Sequence, residues 1–247
     1  MGHLSTILPL QSGKTPLKCS FGPARKADVE FCIFHGDLCI NCGRPDPVIR
    51  DDIRNRVKRV LRKMKSVVDR LLALLLLGPA VFLCVPAMVA IRIESRGNPL
   101  FLQTRVGRNQ KPFTLFKLRT MAQGTGDRGS HEVSAAQVTR IGQLLRRTKI
   151  DELPQIINVL IGNMSFVGPR PCLPNQSELI AEREAKNVFS VLPGITGPAQ
   201  LSGIDMSTPR ELAKADAAYI SERSLRMDLR LIWQTATGGG RGDAVKS

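Results

Sequence analysis

Residues 71–91, LLALLLLGPAVFLCVPAMVAI, contain no charged side chain and decide the fold expected for this chain. As an α-helix this stretch would be about 30 Å long, which is enough to cross the hydrocarbon core of a bilayer. It begins too far from the first residue to be a signal peptide. A buried helix of a soluble domain is the alternative, but such helices usually have shorter apolar runs. We therefore expect a membrane helix.

Two prolines, Pro79 and Pro86, lie inside this apolar stretch, and both of its flanks are basic. Because proline removes a backbone donor and clashes with the preceding turn, we expect a bend. Lys and Arg dominate residues 50–70 and 92–119, and the positive-inside rule places each flank on the cytoplasmic side. Both flanks obey the rule if the helix enters the membrane, bends and returns to the same face. The sequence therefore favours a re-entrant helix over one that crosses the bilayer.

The segments around this helix divide the chain into five predicted parts. The first part, residues 1–47, is rich in Cys, Pro and Gly. The second part, residues 48–65, has the basic amphipathic pattern of a helix that lies on anionic lipid. A solvated helix packed on the domain would show the same pattern. The parts are a poorly ordered extension at 1–47, the amphipathic helix at 48–65, the re-entrant helix at 66–97, a soluble domain at 98–236 and a disordered tail at 237–247. The predicted class is α+β: a mainly helical membrane-surface domain with a short β-hairpin and an N-terminal re-entrant membrane helix.

The overall charge of the chain is strongly positive. It has 36 Lys and Arg against 21 Asp and Glu, a formal net charge of +15 at pH 7. This excess indicates an anionic partner: a nucleic acid, a nucleotide or an acidic membrane surface. Because aromatic residues make up only 4% of the chain, stacking platforms for single-stranded nucleic acid are not expected. The six cysteines show neither a complete zinc-site spacing nor a disulfide framework, which favours a reducing compartment.

Two adjacent carboxylates, Asp151 and Glu152, follow a basic run that includes Arg146. The arrangement suits a phosphate ester, because arginines bind phosphate while a carboxylate binds a metal, attacks phosphorus or moves a proton. The apolar spacing after the pair predicts a helix that opens at Asp151 and ends near residues 162–163. Capping of that helix would explain one carboxylate, but it would not explain the concentration of arginines.

Two further places in the sequence present cations. Residues 99–121 predict a β-hairpin, and Lys117 and Arg119, two residues apart, would share one face of its second strand. Arg170 lies between two prolines, whose fixed φ angles suit the presentation of a guanidinium to a phosphate or carboxylate. A solvated strand face and a structural turn are the plain alternatives for these two places.

Taken in order, these segments resemble the bacterial sugar transferase family, the monotopic polyprenyl-phosphate phosphoglycosyl transferases, over about residues 64–236. The chain resembles the small, minimal members, because no long multi-helix region precedes the core. The matching elements are an Asp before the apolar helix (Asp69), Arg105-Val-Gly-Arg, Phe116-Lys-Leu-Arg-Thr-Met, Leu145-Arg-Arg-Thr, Asp151-Glu-Leu-Pro-Gln, Asn158-Val-Leu, Gly162-Asn-Met-Ser-Phe-Val-Gly-Pro-Arg-Pro, Pro193-Gly-Ile-Thr-Gly and Met227-Asp-Leu.

The resemblance implies an activity. Members transfer a sugar 1-phosphate from a UDP-sugar to undecaprenyl phosphate with release of UMP, which initiates exopolysaccharide, capsule, O-antigen or glycoprotein glycan synthesis. Asp151 would be the nucleophile that forms an aspartyl phosphosugar intermediate, with Glu152 as its metal or proton partner. Mg²⁺ is the expected cofactor, with Asp151 and Glu152 as its ligands. The residues expected to hold substrate phosphates are Lys117, Arg119, Arg146 and Arg170.

The resemblance also implies a location and partners. The catalytic domain, residues 98–236, would lie on the cytoplasmic face of the bacterial inner membrane, against anionic lipid and without nucleic acid; the oligomeric state is open. Two positions depart from the family pattern: Phe82 stands where most members have a helix-breaking proline, and Lys149-Ile150 stands where Ser-Leu is commoner. The competing hypotheses are a non-catalytic basic protein that binds anionic lipid or nucleic acid at a membrane, and a scaffold that crosses the bilayer.

Overall fold

The computed structural model of the chain describes residues 33–34, 37–38, 47–122 and 137–238. The extension predicted at 1–47 lies almost entirely outside the described residues, and so does most of the tail predicted at 237–247. The chain divides into two compact units, Met1–Arg54 and Asn55–Ser247. In the first unit two short strands, β1 (Ile33–Phe34) and β2 (Asp37–Leu38), pair antiparallel.

One long helix, α1 (Pro47–Glu94), takes in both segments that the sequence divides into helices at 48–65 and 66–97. Pro79 and Pro86 lie inside it, and the helix continues past them. By length and composition, its part from Arg62 to Glu94 could cross a membrane. The α+β class, with a short hairpin and a long apolar membrane-anchoring helix, is confirmed. Re-entry into the membrane stays a prediction.

One stripe of α1 packs against the rest of the second unit. Ala73 and Ala80 lie in a buried cluster with Ile156, and farther along the helix Cys84 and Ile91 lie in another. The buried positions are four or seven residues apart, which is the spacing of one helix face. The large apolar residues of α1 that are described as exposed are Val60, Met64, Val67, Val68, Leu71, Leu74, Leu75, Val81, Phe82, Leu83, Val85, Val89 and Ile93. The helix therefore buries one apolar side and exposes another.

Polar contacts fix both ends of the apolar part of α1. At its start, Lys65 Nζ lies 2.6 Å from Asp228 Oδ2 on α7 (Leu225–Ala236). At its end, Glu94 Oε1 accepts a hydrogen bond of 2.8 Å from the N–H of Arg140, the first residue of α2 (Arg140–Thr148). That N–H has no partner within its own helix, so the carboxylate satisfies it. Both ends of the apolar segment are thus attached to the same domain.

The attachment at Asp228 is charge-paired and hydrogen-bonded. Asp228 is buried, and the Tyr219 hydroxyl lies 2.7 Å from its Oδ1. Burial and the neighbouring Asp228 carboxylate raise the pKa of Tyr219. The hydroxyl therefore stays protonated and donates a hydrogen bond to the carboxylate. Lys65 supplies the opposite charge. The start of α1 is therefore held in a defined position on α7.

The predicted β-hairpin is present as β3 (Leu100–Val106) and β4 (Pro112–Leu118). Its antiparallel register pairs Gln103 with Leu115 and Phe101 with Lys117. The connection passes through a 3-10 turn, Arg108–Gln110, in which Asn109 has a left-handed φ of 55°. Asparagine tolerates this conformation better than most residues, whereas Gln110, which follows it with a φ of 59°, has no such preference.

Asn158 fixes β4 from the side. It is completely buried on α3 (Gln155–Leu160), where its Oδ1 accepts a hydrogen bond of 3.0 Å from the Phe116 N–H. Its Nδ2 donates one of 2.7 Å to the Thr114 carbonyl. One side chain therefore satisfies two backbone groups of the strand, in place of a neighbouring strand. This contact sets the position of Lys117, the residue after Phe116.

Two short parallel strands and three further helices complete the domain. β5 (Ser165–Val167) pairs with β6 (Gly194–Thr196), and a Cβ added to Gly194 would lie 2.0 Å from the Gly168 nitrogen. Only glycine permits this approach of the two backbones. The remaining helices are α4 (Ser177–Ala185), α5 (Pro198–Leu201) and α6 (Pro209–Glu222). The strand pair holds the segment that follows β5, which carries Arg170.

Candidate active site

Asp151 and Glu152 lie in a 3-10 turn, Ile150–Glu152, between α2 and α3. The prediction that a helix opens at Asp151 is wrong, because α3 begins at Gln155. Lys149 ends α2 in the left-handed conformation, with φ 58°, so the chain turns before a new helix can form. Pro154 has no N–H with which to bond the Ile150 carbonyl, which accepts instead from Leu153 at 3.2 Å.

Lys117 pairs with the two carboxylates. Its Nζ lies 2.9 Å from Asp151 Oδ2 and 3.8 Å from Glu152 Oε1. All three side chains are buried, and Asp151 is only 2% exposed. Removing charges from water is costly unless they are paired, so the ammonium group offsets part of the cost of burying the two carboxylates. The structure brings together these three residues, which the sequence predicted as parts of one site.

Arg170 completes the cluster from the other side. Its Nη2 lies 3.1 Å from Glu152 Oε1, the same oxygen that faces Lys117. The two acids and two cations therefore form one connected group, supplied by β4, by the turn before α3 and by the segment after β5. Arginine presents several donors in a fixed plane, which suits phosphate oxygens as well as carboxylates.

The backbone around Arg170 is held at every residue. The carbonyls of residues 169 to 172 each accept a hydrogen bond, and two of the donors are arginine side chains. In order of acceptor, the donors are Gly194 N (2.9 Å), Arg183 Nη1 (2.7 Å), Arg105 Nη1 (3.1 Å) and Val106 N (2.9 Å). With a proline on each side as well, the segment presents the Arg170 guanidinium from a fixed position. The two prolines alone predict this rigidity, and the structure adds four hydrogen bonds to the backbone carbonyls.

Arg183 is itself held by a buried ion pair. Its Nη2 lies 2.7 Å from Asp216 Oδ2, and both side chains are nearly inaccessible to solvent. Burial raises the pKa of Asp216, although the Arg183 charge opposes this rise. The pair joins α4 to α6 and leaves Nη1 of Arg183 to bind the Arg170 carbonyl. Arg183 was not among the predicted site residues, because nothing near it in sequence marks it as different from a surface arginine.

The other two predicted cations, Arg119 and Arg146, hydrogen-bond to residues near the ends of α1 and β4. Arg119 lies just beyond β4, and its Nη2 donates to the Ser95 carbonyl at 2.7 Å and to Ser95 Oγ at 2.9 Å, near the end of α1. Arg146 Nε donates to Thr120 Oγ1 at 2.9 Å. The geometry thus gives Arg119 a contact with the chain that follows α1, and phosphate binding by either arginine stays a prediction.

The two carboxylates fit a hard divalent cation. Mg²⁺ is commonly bound through one or two carboxylates, with waters and substrate phosphates as the other ligands. Asp151 and Glu152 are adjacent oxygen donors in the same turn. Within residues 47–122 and 137–238, no group of three or more His, Cys, Asp or Glu is placed to hold a metal by itself. The donor set therefore suits an ion that arrives with a phosphate ligand.

Fold and site together define a class: a transferase domain built on a long apolar helix, with paired carboxylates facing an arginine and a lysine. The chain belongs to the bacterial sugar transferase family, whose model matches residues 60–240. It is an enzyme of the phosphoglycosyl transferase type. The match begins near the membrane helix and ends after α7, so it covers the whole described site.

Curated relatives agree with this assignment. A Caulobacter vibrioides protein named UDP-glucose:undecaprenyl-phosphate glucose-1-phosphate transferase is 36% identical over 229 residues, which are 89% of this chain and 82% of the relative. An Escherichia coli K12 protein of the same name is 35% identical over 218 residues, 85% of this chain but only 46% of the longer relative. A Bacillus subtilis protein named uncharacterized sugar transferase EpsL is 37% identical over 172 residues, 70% of this chain and 85% of the relative.

Proposed function

We propose that the protein transfers a sugar 1-phosphate from a UDP-sugar to undecaprenyl phosphate and releases UMP. The observation that carries the proposal is the buried group of Asp151 and Glu152 between Lys117 and Arg170. In a family member, that group provides a nucleophile, its partner and two cations for a diphosphate. The product would start synthesis of a surface glycan such as exopolysaccharide, capsule, O-antigen or glycoprotein glycan.

In the first step, an Asp151 oxygen attacks the phosphorus that bears the sugar. A bond forms between that oxygen and phosphorus while the bond to the bridging oxygen breaks, and UMP leaves with the electron pair. Lys117 Nζ lies 2.9 Å from Asp151 Oδ2, so its charge is close to the phosphate oxygens that approach the nucleophile. Arg170 is placed to bind the charge that spreads over the phosphate oxygens.

In the second step, a phosphate oxygen of undecaprenyl phosphate attacks the same phosphorus. The bond to Asp151 breaks, the carboxylate is regenerated, and the sugar-bearing diphosphate lipid leaves. Glu152 adjoins Asp151 and contacts both cations, so it is positioned to keep them near the reacting phosphate. Asp151 and Glu152 would hold Mg²⁺, which supplies neutralisation of phosphate charge when bound.

The test of this function is a screen for UMP release across a panel of UDP-sugars, with undecaprenyl phosphate and Mg²⁺. We expect UMP and lipid-linked sugar diphosphate in equal amounts with at least one sugar, and loss of both when EDTA removes the metal. Release of UDP instead would indicate a glycosyltransferase. Full activity in EDTA would exclude the magnesium assignment, and no UMP with any sugar would overturn the function.

We further propose that α1 re-enters the cytoplasmic face of the bacterial inner membrane. Its apolar segment is attached at both ends to one domain, through Lys65 and Glu94. A straight crossing would separate these ends by about 30 Å of hydrocarbon and draw the polar domain into the bilayer. Exposed apolar residues of α2 and α7, and of α3 and the residue that follows it, would add contacts with anionic lipid. They are Leu144, Ile157, Ile161, Leu225, Leu229 and Trp233.

Single cysteines at Val60 and Gln110, in a background without other cysteines, test this topology. Both positions are exposed and flank the apolar segment. We expect a membrane-impermeant maleimide to label both in inverted inner-membrane vesicles and neither in intact spheroplasts. Lysed membranes, in which both must react, are the control. Labelling of the two positions from opposite sides would show that the helix crosses the bilayer.

A non-catalytic basic protein that binds anionic lipid or nucleic acid is the second candidate. The charge of +15 favours it, but a lipid- or nucleic-acid-binding surface has no use for two buried carboxylates that neutralise its cations. The same UMP assay separates the two candidates. Binding to acidic vesicles without any UMP release would support the second one.

A further inference from the structure

Gln103 is the feature that the proposed mechanism leaves unused. It lies on β3, is only 3% exposed, and its Nε2 has no hydrogen-bond partner in the described part of the chain. Buried donors are rarely left in this state, because the lost hydration is not replaced. An unsatisfied donor beside a catalytic cluster therefore calls for a ligand that would accept from it.

The hairpin register places Gln103 on the side of the sheet that carries Lys117. Gln103 pairs with Leu115, and Phe101, two residues earlier, pairs with Lys117. Residues two apart on a strand share a face, and directly paired residues share it across strands. Gln103 and Lys117 are therefore diagonal neighbours on one face, and Lys117 reaches Asp151 from it at 2.9 Å.

Arg105 sets the orientation of the Gln103 amide. Arg105 Nε donates to Gln103 Oε1 at 2.9 Å, Nη2 donates to the same oxygen, and Nη1 donates to the Pro171 carbonyl at 3.1 Å. A flipped amide would place its NH₂ against the guanidinium, donor against donor. The oxygen is therefore occupied by Arg105, and the NH₂ group is the part left for a ligand. The same arginine connects the amide to the segment that holds Arg170.

We propose that Gln103 is a substrate-binding residue whose Nε2 donates a hydrogen bond to a non-bridging diphosphate oxygen of the nucleotide sugar. The proposal rests on the function proposed above. Gln103 Nε2, Lys117 and Arg170 are all donors, which matches the acceptor-only oxygens of a diphosphate. A sugar hydroxyl would fit less well, because it also needs an acceptor and Gln103 Oε1 is already taken.

Gln103→Glu and Gln103→Met test this role. Glutamate keeps the shape and the acceptor for Arg105 but replaces the donor with an anionic oxygen, whereas methionine removes the donor without adding charge. Loss of a hydrogen bond to a charged group predicts kcat/KM for the UDP-sugar lower by about 10- to 100-fold. Thr104→Val, on the exposed opposite face of β3, is the matched control and should leave kcat/KM unchanged.

Binding of UDP, which the enzyme does not turn over in this reaction, separates this inference from the proposed function. We expect both variants to bind UDP about 10-fold or more weakly than the wild type, with the melting temperature of the ligand-free protein retained. Weaker binding of the UDP-sugar alone, with UDP unaffected, would assign the amide to the sugar and overturn the diphosphate contact. Dissociation constants for UDP within twofold of the wild-type constant would also overturn the inference. A lowered melting temperature of both ligand-free variants would overturn it as well. If the wild type released no UMP but its binding of UDP still depended on Gln103, the proposed function would be wrong and the proposed Gln103 contact would stand.

Discussion

Asp151→Asn is expected to abolish UMP release, lowering the rate by at least about 10³-fold. The substitution keeps the size of the side chain and an oxygen that can face Lys117, now 2.9 Å from the carboxylate. A neutral amide cannot supply the electron pair that attacks phosphorus at a useful rate. The expected loss therefore comes from chemistry, and the variant should still fold and bind the membrane.

The measurement is UMP release together with the intact mass of the protein after mixing with UDP-sugar alone. Wild type should gain the mass of one phosphosugar, and Asp151→Asn should gain none. Asp205→Asn makes the same change at an exposed aspartate and should retain wild-type activity. Wild-type activity in Asp151→Asn would exclude Asp151 as the nucleophile, and a mass gain in that variant would place the covalent bond on another residue.

Arg170→Ala is expected to lower kcat/KM by about 10²- to 10³-fold, the cost of removing one fixed donor from developing charge. Arg170→Lys should recover only part of this loss. Lysine keeps the charge and the held backbone of residues 169–172, but it does not keep the planar set of donors. Glu152, 3.1 Å from the Arg170 guanidinium, would also lose one of its two cations.

Steady-state UMP release with varied UDP-sugar measures the effect. Arg210→Ala is the matched control, because the Arg210 side chain is 78% exposed and its Nε lies 3.4 Å from Glu182 Oε1, outside the carboxylate cluster. The control should change kcat/KM by less than twofold. If Arg170→Ala behaved like the control, the guanidinium would be a structural part of the turn and not a phosphate ligand.

Much of the fold could be predicted from short-range patterns in the sequence. Unbroken apolarity predicted the membrane helix, and two short apolar stretches around a turn predicted the hairpin that became β3 and β4. The combination of Asp151, Glu152, Lys117 and Arg170 was also predicted, since each belongs to a distinctive local run. These features depend on residues close in sequence, where chain geometry leaves few choices.

Features that depend on distant contacts were not predicted. Asn158 looks like any polar residue of a helix, yet it bonds two backbone groups of β4 from more than forty residues away. Arg119 alternates correctly with Lys117, but β4 ends at Leu118, and its side chain turns to Ser95 instead. The helix predicted from Asp151 failed because periodicity carried no information about the left-handed Lys149.

The two-sided packing of α1 has a consequence for biogenesis. Ala73 and Ala80 complete one interior cluster, and Cys84 and Ile91 complete another, while the opposite side of the same helix suits hydrocarbon. In water, the chain could not bury the exposed apolar side of α1 and at the same time pack the other side of α1 into the two interior clusters. We therefore expect folding of the enzyme and insertion of α1 into the bilayer to be coupled, and we expect a chain that lacks α1 to aggregate rather than to give a water-soluble catalyst.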